Sequence, residues 1–346
     1  VAQYGIPYQG SKGSICNELI RIFPTADHFY DLFGGGFSVT HAMLERRSKD
    51  FKHFHFNEIR PGICDLISRA IAGDFNYNKY KPPFVSRETF FKEIDNDPMI
   101  KMLWSFGNNG RDYLFSKEIE PYKRSLHNAI IFNEFDSLAE KVFGMKRFND
   151  GYSVNDKRLM LRNRIEFYRK TKVPEFLWPY LKEDDLEIVK SQAQAEHFRQ
   201  LQQLQQLEQL ERLQQLERLQ QLERLQQLER LEQLEQLQFY NTSYDEIEIR
   251  QNSIIYCDPP YLDTADYGGE FDHAAFLNWC DAQKSPVFIS EYNIADKRFR
   301  PIFTIKKRSL MSSNSREEKT EKVYVNKSGI EMLRARNASK PMGLAL

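Results

Sequence analysis

Glycine and proline are absent from the whole stretch between Pro179 and Pro259. Without these turn-makers, residues 201–237 become a low-complexity tract with leucine at every third position, in a hexad close to Leu-Gln-Gln-Leu-Glu-Arg. All four residue types are strong helix formers, which predicts one long helix of roughly 55 Å. The spacing excludes a heptad coiled coil. A three-residue step turns about 300° on a helix, so the leucine row circles the axis and forms no single seam. A three-sided solenoid and a disordered tract are the alternatives. The tract is read as a spacer, with self-association through its 13 leucines, which look unburied, as the sharper idea.

Cysteine is scarce too. Cys16, Cys64, Cys257 and Cys280 are scattered, with no CxxC and no histidine at metal-ligand spacing. That argues against a disulfide framework and a zinc site, and no metal is expected. No apolar run approaches the roughly 20 residues of a membrane span, and no signal-peptide pattern opens the sequence. A cytoplasmic protein is expected. Charge of one sign is lacking overall, since 49 basic residues meet 49 acidic ones. The molecule as a whole therefore carries no electrostatic mark of nucleic-acid binding. Locally the balance differs: ten Lys and Arg between Lys141 and Lys172 meet only Asp150, Asp156 and Glu166. That run is either a solvated helix face or a phosphate-contacting surface.

The most informative stretch is Ile254-Ile255-Tyr256-Cys257-Asp258-Pro259-Pro260-Tyr261. The apolar run reads as a buried strand, and two prolines end it because neither can donate a ladder hydrogen bond. Asp258 and Tyr261 are then held on a stiff loop at the carboxyl end of a strand, where ligands bind in open α/β sheets. A fixed carboxylate beside an aromatic ring suits a planar base with an exocyclic amine. The alternative is a merely rigid turn.

Residues 1–73 read as α/β: helix 14–22, strand 28–32, a Gly34-Gly35-Gly36 loop, helix 37–47, strand 51–56 and helix 61–72. Residues 74–182 form an inserted, mostly helical lobe rich in aromatic, asparagine and basic residues. The repeat fills 183–236. Sheet structure resumes over 237–330, with strands at 237–240, 254–257 and 286–290, a helix at 271–282, and an antiparallel pair at 303–307 and 322–325. Residues 331–346 are expected to be a flexible tail, loose from Arg334 onward.

In order along the chain stand Tyr8-Gln9-Gly10-Ser11-Lys12, Asp31-Leu32-Phe33-Gly34-Gly35-Gly36-Phe37-Ser38, Asn57-Glu58, the inserted lobe, Asp258-Pro259-Pro260-Tyr261 and Ser290-Glu291-Tyr292-Asn293. This order resembles the Dam-like, α-group DNA adenine-N6 methyltransferases over most of the chain outside the repeat. The resemblance implies an α/β, Rossmann-like methyltransferase sheet that binds S-adenosylmethionine and acts on double-stranded DNA. It implies that Tyr8, Lys12, Asp31, Phe33, Gly34, Gly35, Gly36, Glu58 and Asp258 shape the cofactor pocket, Glu58 holding ribose hydroxyls. Lys12, taken alone, could equally be a solvated side chain. Asp258, Pro259, Pro260 and Tyr261 would be the catalytic loop that receives a flipped adenine.

The lobe falls where that family carries target recognition, so Asn108, Asn109, Arg111, Arg158 and Arg162 are candidate DNA contacts. A structural turn accounts equally well for the two asparagines. One position departs from the family's Phe-x-Gly-x-Gly loop: Phe37 stands at the last glycine. Either Gly34–Gly36 shift to serve, or the pocket is tighter. The glycines do not form a dinucleotide GxGxxG, and Asp before Pro-Pro argues against glutamine-methylating relatives. An RNA adenine methyltransferase and a degenerate, DNA-binding scaffold are the competing readings. A bacterial or phage source, with or without a partner restriction nuclease, would fit.

Overall fold

The computed structural model describes residues 4–8, 10–76, 80–171, 225, 228, 229, 231, 234–261, 271–307 and 319–338. The chain divides into two compact units, Val1–Gly73 with Arg224–Leu346, and Asp74–Glu223.

The first unit is built on a seven-stranded sheet. Its elements in chain order are α1 (Cys16–Leu19), β1 (His28–Asp31), α2 (Ser38–Arg47), β2 (His53–Asn57) and α3 (Ile63–Ile71). After the second unit come β3 (Leu237–Tyr240), β4 (Ser253–Cys257), a helix at His273–Ala282, β5 (Val287–Glu291), β6 (Arg300–Lys307), β7 (Lys319–Val325) and a last helix at Lys327–Ala338. The strand order is β3-β2-β1-β4-β5-β7-β6. All neighbours are parallel except at β7, which runs antiparallel to both β5 and β6. The parallel strands follow the doubly wound rule, with β1 as the switch between the two halves. The crevice therefore opens at the carboxyl ends of β1 and β4, where Asp31 pairs with Tyr256.

Alternation assigns the faces. Tyr30, Ile255, Cys257, Val287, Ile289 and Tyr324 pack with Phe276 and Cys280 of the 273–282 helix. Phe29, Tyr256 and Phe288 meet Phe23 on the other face, at centroid distances of 5.2, 5.5 and 5.2 Å. Asp31, Ser290 and Glu321 share that second face by parity.

Three expectations need correction. The helix read over 14–22 is only Cys16–Leu19. The carbonyls of Ile20 and Phe23 are taken by the Arg47 guanidinium, at 2.6 and 2.7 Å, so the chain leaves the helix there. The chain past Arg334 is not loose at first: the last helix runs to Ala338. It starts from Asn326, whose Oδ1 accepts from the Gly329 amide at 3.0 Å and whose amide donates to Cys280 O at 3.1 Å. Of the repeat, Leu225 and Leu228 are fully buried, not exposed. Glu229 lies against Gly73, where its side chain fills the space a Cβ would need. The predicted 201–237 helix otherwise falls largely outside the described residues. Among the described residues no helix is long and apolar enough to cross a membrane.

The second unit is helical among its described residues, with α4 (Arg87–Glu93), α5 (Pro98–Leu103), α6 (Glu120–Phe132), α7 (Ser137–Phe143) and α8 (Val154–Thr171). Side chains start the helices where the sequence offers them. Ser86 accepts from Thr89 N, Asp97 from Met99 N and Ile100 N, and Asp136 from Leu138 N and Ala139 N. Leu126, Ala129, Ile130, Phe143, Phe148 and Leu161 form a core. The only β feature described here is a bridge between Ser105 and Tyr113.

Candidate active site

A cleft of about 350 Å³ opens at the switch point of the sheet. Five segments build most of it: the Tyr8–Lys12 loop, the Asp31–Ser38 loop after β1, the Asn57–Arg60 loop after β2, Thr242–Tyr244 after β3, and Asp258–Tyr261 after β4. Asn57 ties three of the loops together. Its amide donates to Leu32 O at 2.9 Å and Thr242 O at 3.1 Å, and its Oδ1 accepts from Thr242 N at 3.2 Å.

The glycine loop lies against side chains that leave it no room. A Cβ on Gly34 would overlap the Phe56 ring, and one on Gly35 or Gly36 would run into Tyr8. Gly35 also takes φ +51°, the region that favours glycine. Phe37 resolves the departure noted above. It adopts φ +69°, where a glycine would be unstrained, yet it is fully buried. Its ring turns into the core, 5.0 Å from Phe56 and 6.0 Å from Phe239. The cleft is lined by Gly34–Gly36 and not by Phe37, so the phenylalanine does not narrow it.

Glu58 is buried at the end of β2 and spans the loop. Its Oε2 accepts from Gly35 N at 2.8 Å, and its Oε1 from Arg60 N at 3.0 Å and Arg60 Nε at 3.1 Å. Burial raises this carboxyl while the backbone amides hold it down. Three of about four lone-pair directions are in use, leaving capacity for one more hydrogen bond. Beside it Ile59 is 62 % exposed, an apolar wall for a flat ring. Phe33, Tyr244 and Phe271 form an aromatic wall, with centroids 5.3–6.1 Å apart.

The Asp258–Tyr261 side is ionic. Lys12 is buried, which excludes the solvated reading. Its Nζ lies 2.8 Å from Asp258 Oδ1, 2.7 Å from the Tyr261 hydroxyl and 3.3 Å from Glu321 Oε1. Burial alone would lower the ammonium, but Asp258 and Glu321 outweigh it and raise the group. Burial also raises the Asp258 carboxyl, against Lys12, with Glu321 pushing it further up. Tyr261 stands edge-on to Tyr292 at 4.6 Å, and Lys12 lies 4.8 Å from its ring centre. Asp31 completes the floor. Thr40 Oγ1 donates to its Oδ2 at 2.8 Å, and burial pushes the carboxyl up to about 7, with Asp258 adding to the rise.

Sequence reasoning missed Glu321. The available signal was alternation, since Glu321 shares parity with buried Val323 and Val325 in β7. An acid at an inward position of a core strand is a flag for a buried partner.

In the second unit, the candidate DNA contacts differ in kind. Asn108 takes φ +55° and donates to Met102 O at 2.6 Å. Asn109 Oδ1 accepts from Arg111 N and Asp112 N, at 2.9 and 3.0 Å, and its amide donates to Asp112 at 2.7 Å. The two asparagines hold their own turn. Arg111 and Arg162 are exposed, and Arg158 reaches Asn155 on its own helix at 3.2 Å.

The cleft suits the implied cofactor. The Tyr8 hydroxyl and Asp31 Oδ1 are buried without a hydrogen-bond partner among the described residues, and the glycine cradle admits a close approach. The buried acids suit a cation. Sheet and site together are consistent with a methyltransferase fold. Residues 8–97 match the model of the D12 class N6 adenine-specific DNA methyltransferases, a class that uses S-adenosylmethionine. The matched segment carries Lys12, Asp31, the glycine loop and Glu58, while Asp258 and Glu321 lie outside it. No curated protein matches the chain.

Proposed function

We propose that this chain is a site-specific DNA methyltransferase of the Dam-like α group, which methylates N6 of a flipped adenine. The observation that carries the reading is the Asp258–Tyr261 loop facing a glycine cradle across the β1/β4 switch point. Tyr8, Asp31, Phe33, Gly34, Gly35, Gly36 and Glu58 would hold S-adenosylmethionine, with Lys12 and Asp258 bordering it. The cofactor supplies an electrophilic methyl group when bound.

The chain's own residues do the rest by alignment. The adenine amine is a poor nucleophile because its lone pair is delocalised into the ring. Asp258 and the Pro259 carbonyl accept its two N–H groups and favour a localised pair. Tyr261 stacks on the flipped base, and Pro260 stiffens the loop. Arg111, Arg158 and Arg162 are the proposed phosphate or base contacts on double-stranded DNA. Asn108 and Asn109 shape the turn that presents Arg111. Self-association through 201–237 concerns residues largely outside those described.

The test is transfer of a labelled methyl group from S-adenosylmethionine to unmethylated plasmid DNA, read by nucleoside mass spectrometry. N6-methyladenine is the expected product. A label found only in RNA, or no transfer, would replace this reading with one of its competitors.

Cofactor affinity should depend on pH through Asp31. Its carboxyl titrates at about 7, and the ionised form attracts a cationic ligand. Below that value the acid is neutral and binding is weaker. Calorimetry should show affinity rising by about tenfold between about pH 6 and about pH 8, and Asp31→Asn should flatten the profile. A flat wild-type profile would remove Asp31 from the cofactor contacts.

A further inference from the structure

Glu321 is 1 % exposed, inside β7, a strand that runs against the direction of its neighbours. Parity puts it on the same face of the sheet as Asp31. Lys12 Nζ donates to Tyr261 Oη at 2.7 Å, and the same ammonium forms ion pairs with Asp258 Oδ1 at 2.8 Å and Glu321 Oε1 at 3.3 Å. The cluster therefore buries two carboxylates on one ammonium. A surplus buried acid lowers stability unless it has a partner. A simple Lys12–Asp258 pair would be neutral and would not need Glu321.

We propose that Glu321 is a positioning residue: by taking a share of Lys12 it keeps Asp258 able to accept the proton that the reacting amine must lose. This rests on the reaction proposed above. In that reaction the N6 lone pair bonds the methyl carbon, and the carbon–sulfur electron pair leaves with sulfur. The nitrogen then carries the methyl group, two protons and a positive charge. One proton passes to the Asp258 carboxylate, and the N–H electron pair stays on nitrogen, leaving neutral N6-methyladenine. Asp258, now a carboxylic acid, returns the proton to solvent.

An aspartate paired one-to-one with an ammonium is a weak base, because the cation stabilises the carboxylate. Glu321 divides that stabilisation and adds a like charge beside Asp258. The groups facing Asp258 are Lys12 from the N-terminal loop, Cys16 from α1, Asp31 from β1, Tyr256 and Cys257 from β4, Tyr261 from its own loop and Glu321 from β7. Both cysteines and both tyrosines are raised and so neutral. The balance at Asp258 is thus set by Lys12, Asp31 and Glu321.

The test is an NMR titration of isotope-labelled aspartate carboxyls in the full, cofactor-free chain, with Asp258→Asn assigning the resonance. Glu321→Gln keeps the shape and removes the charge. Its Asp258 titration is expected to fall by about one pH unit or more. In DNA methylation, the acid limb of kcat should move to lower pH and the plateau should drop by about tenfold. Glu321→Asp, which keeps a retracted charge, should fall between wild type and Glu321→Gln in both readouts, and it carries the test if the glutamine variant does not fold. An Asp258 titration and an acid limb at the wild-type position in the folded variants would overturn the role of Glu321. A wild-type chain that methylates no DNA would overturn the reaction instead, and the titration would still show whether Glu321 governs Asp258.

Discussion

The Asp258→Ala protein is expected to bind S-adenosylmethionine and to transfer no measurable methyl group, a loss of at least about a thousandfold. The physical reason is local. Most groups proposed to face the cofactor lie on the loops after β1 and β2, and those groups make no bond to Asp258. Gly35 is held by Glu58, and Asp31 by Thr40. The glycine cradle and its acids should therefore survive the substitution. What disappears is the acceptor proposed to orient the amine and take its proton. Calorimetry with the cofactor, set beside the labelled-methyl assay, separates the two. Loss of both would make Asp258 a cofactor ligand first, and retained methylation would end the catalytic assignment. Asp258→Asn is a second comparison, because it keeps a carbonyl acceptor without the charge. It should retain more base binding than alanine but equally little turnover.

The central sheet was readable from local sequence because its strands are short runs of β-branched and aromatic residues closed by turn chemistry. Ile254–Cys257 ends at Pro259-Pro260, and His28–Asp31 ends at three glycines. The order of motifs then brought Lys12, Asp31, Glu58 and Asp258 to one cleft, where the structure has them. What could not be read depends on three-dimensional partners. The early end of α1 is dictated by Arg47, 27 residues away from Ile20. The last helix begins with Lys-Ser-Gly, which reads as a loop until Asn326 is seen to anchor it. Phe37 looked like an obstruction because sequence gives a residue's type and not the direction of its ring. Glu321 lies in a charged segment, Arg316-Glu317-Glu318-Lys319-Thr320-Glu321-Lys322, where its one local sign of burial is its parity with Val323 and Val325. Its partner Lys12 is more than 300 residues earlier, so no window of sequence contains both.

Lys12→Met should produce the largest loss of stability. Methionine keeps the volume of the lysine stem but removes the charge, leaving Asp258 and Glu321 buried together without their cation. Breaking a buried ion pair from one side costs about 3–5 kcal/mol, mostly from the stranded charge. The deficit should depend on pH in a definite direction. Burial already raises the Asp258 carboxyl above its unfolded value, and Lys12 is the group that pulls it down. Without Lys12 the folded-state value rises further. The folded variant then holds more protons than its unfolded chain, so its stability is present at low pH and is lost as pH climbs toward the raised value. Urea unfolding of variant and wild type should therefore show a deficit that is small near about pH 5 and large near about pH 8. A deficit that does not change with pH would mean that Lys12 stabilises by packing alone. Combining Lys12→Met with Glu321→Gln should recover part of the loss at the higher pH, because only one buried acid then lacks a cation. Simple additivity of the two substitutions would show that the two groups do not interact, and would remove the ionic account of the cluster.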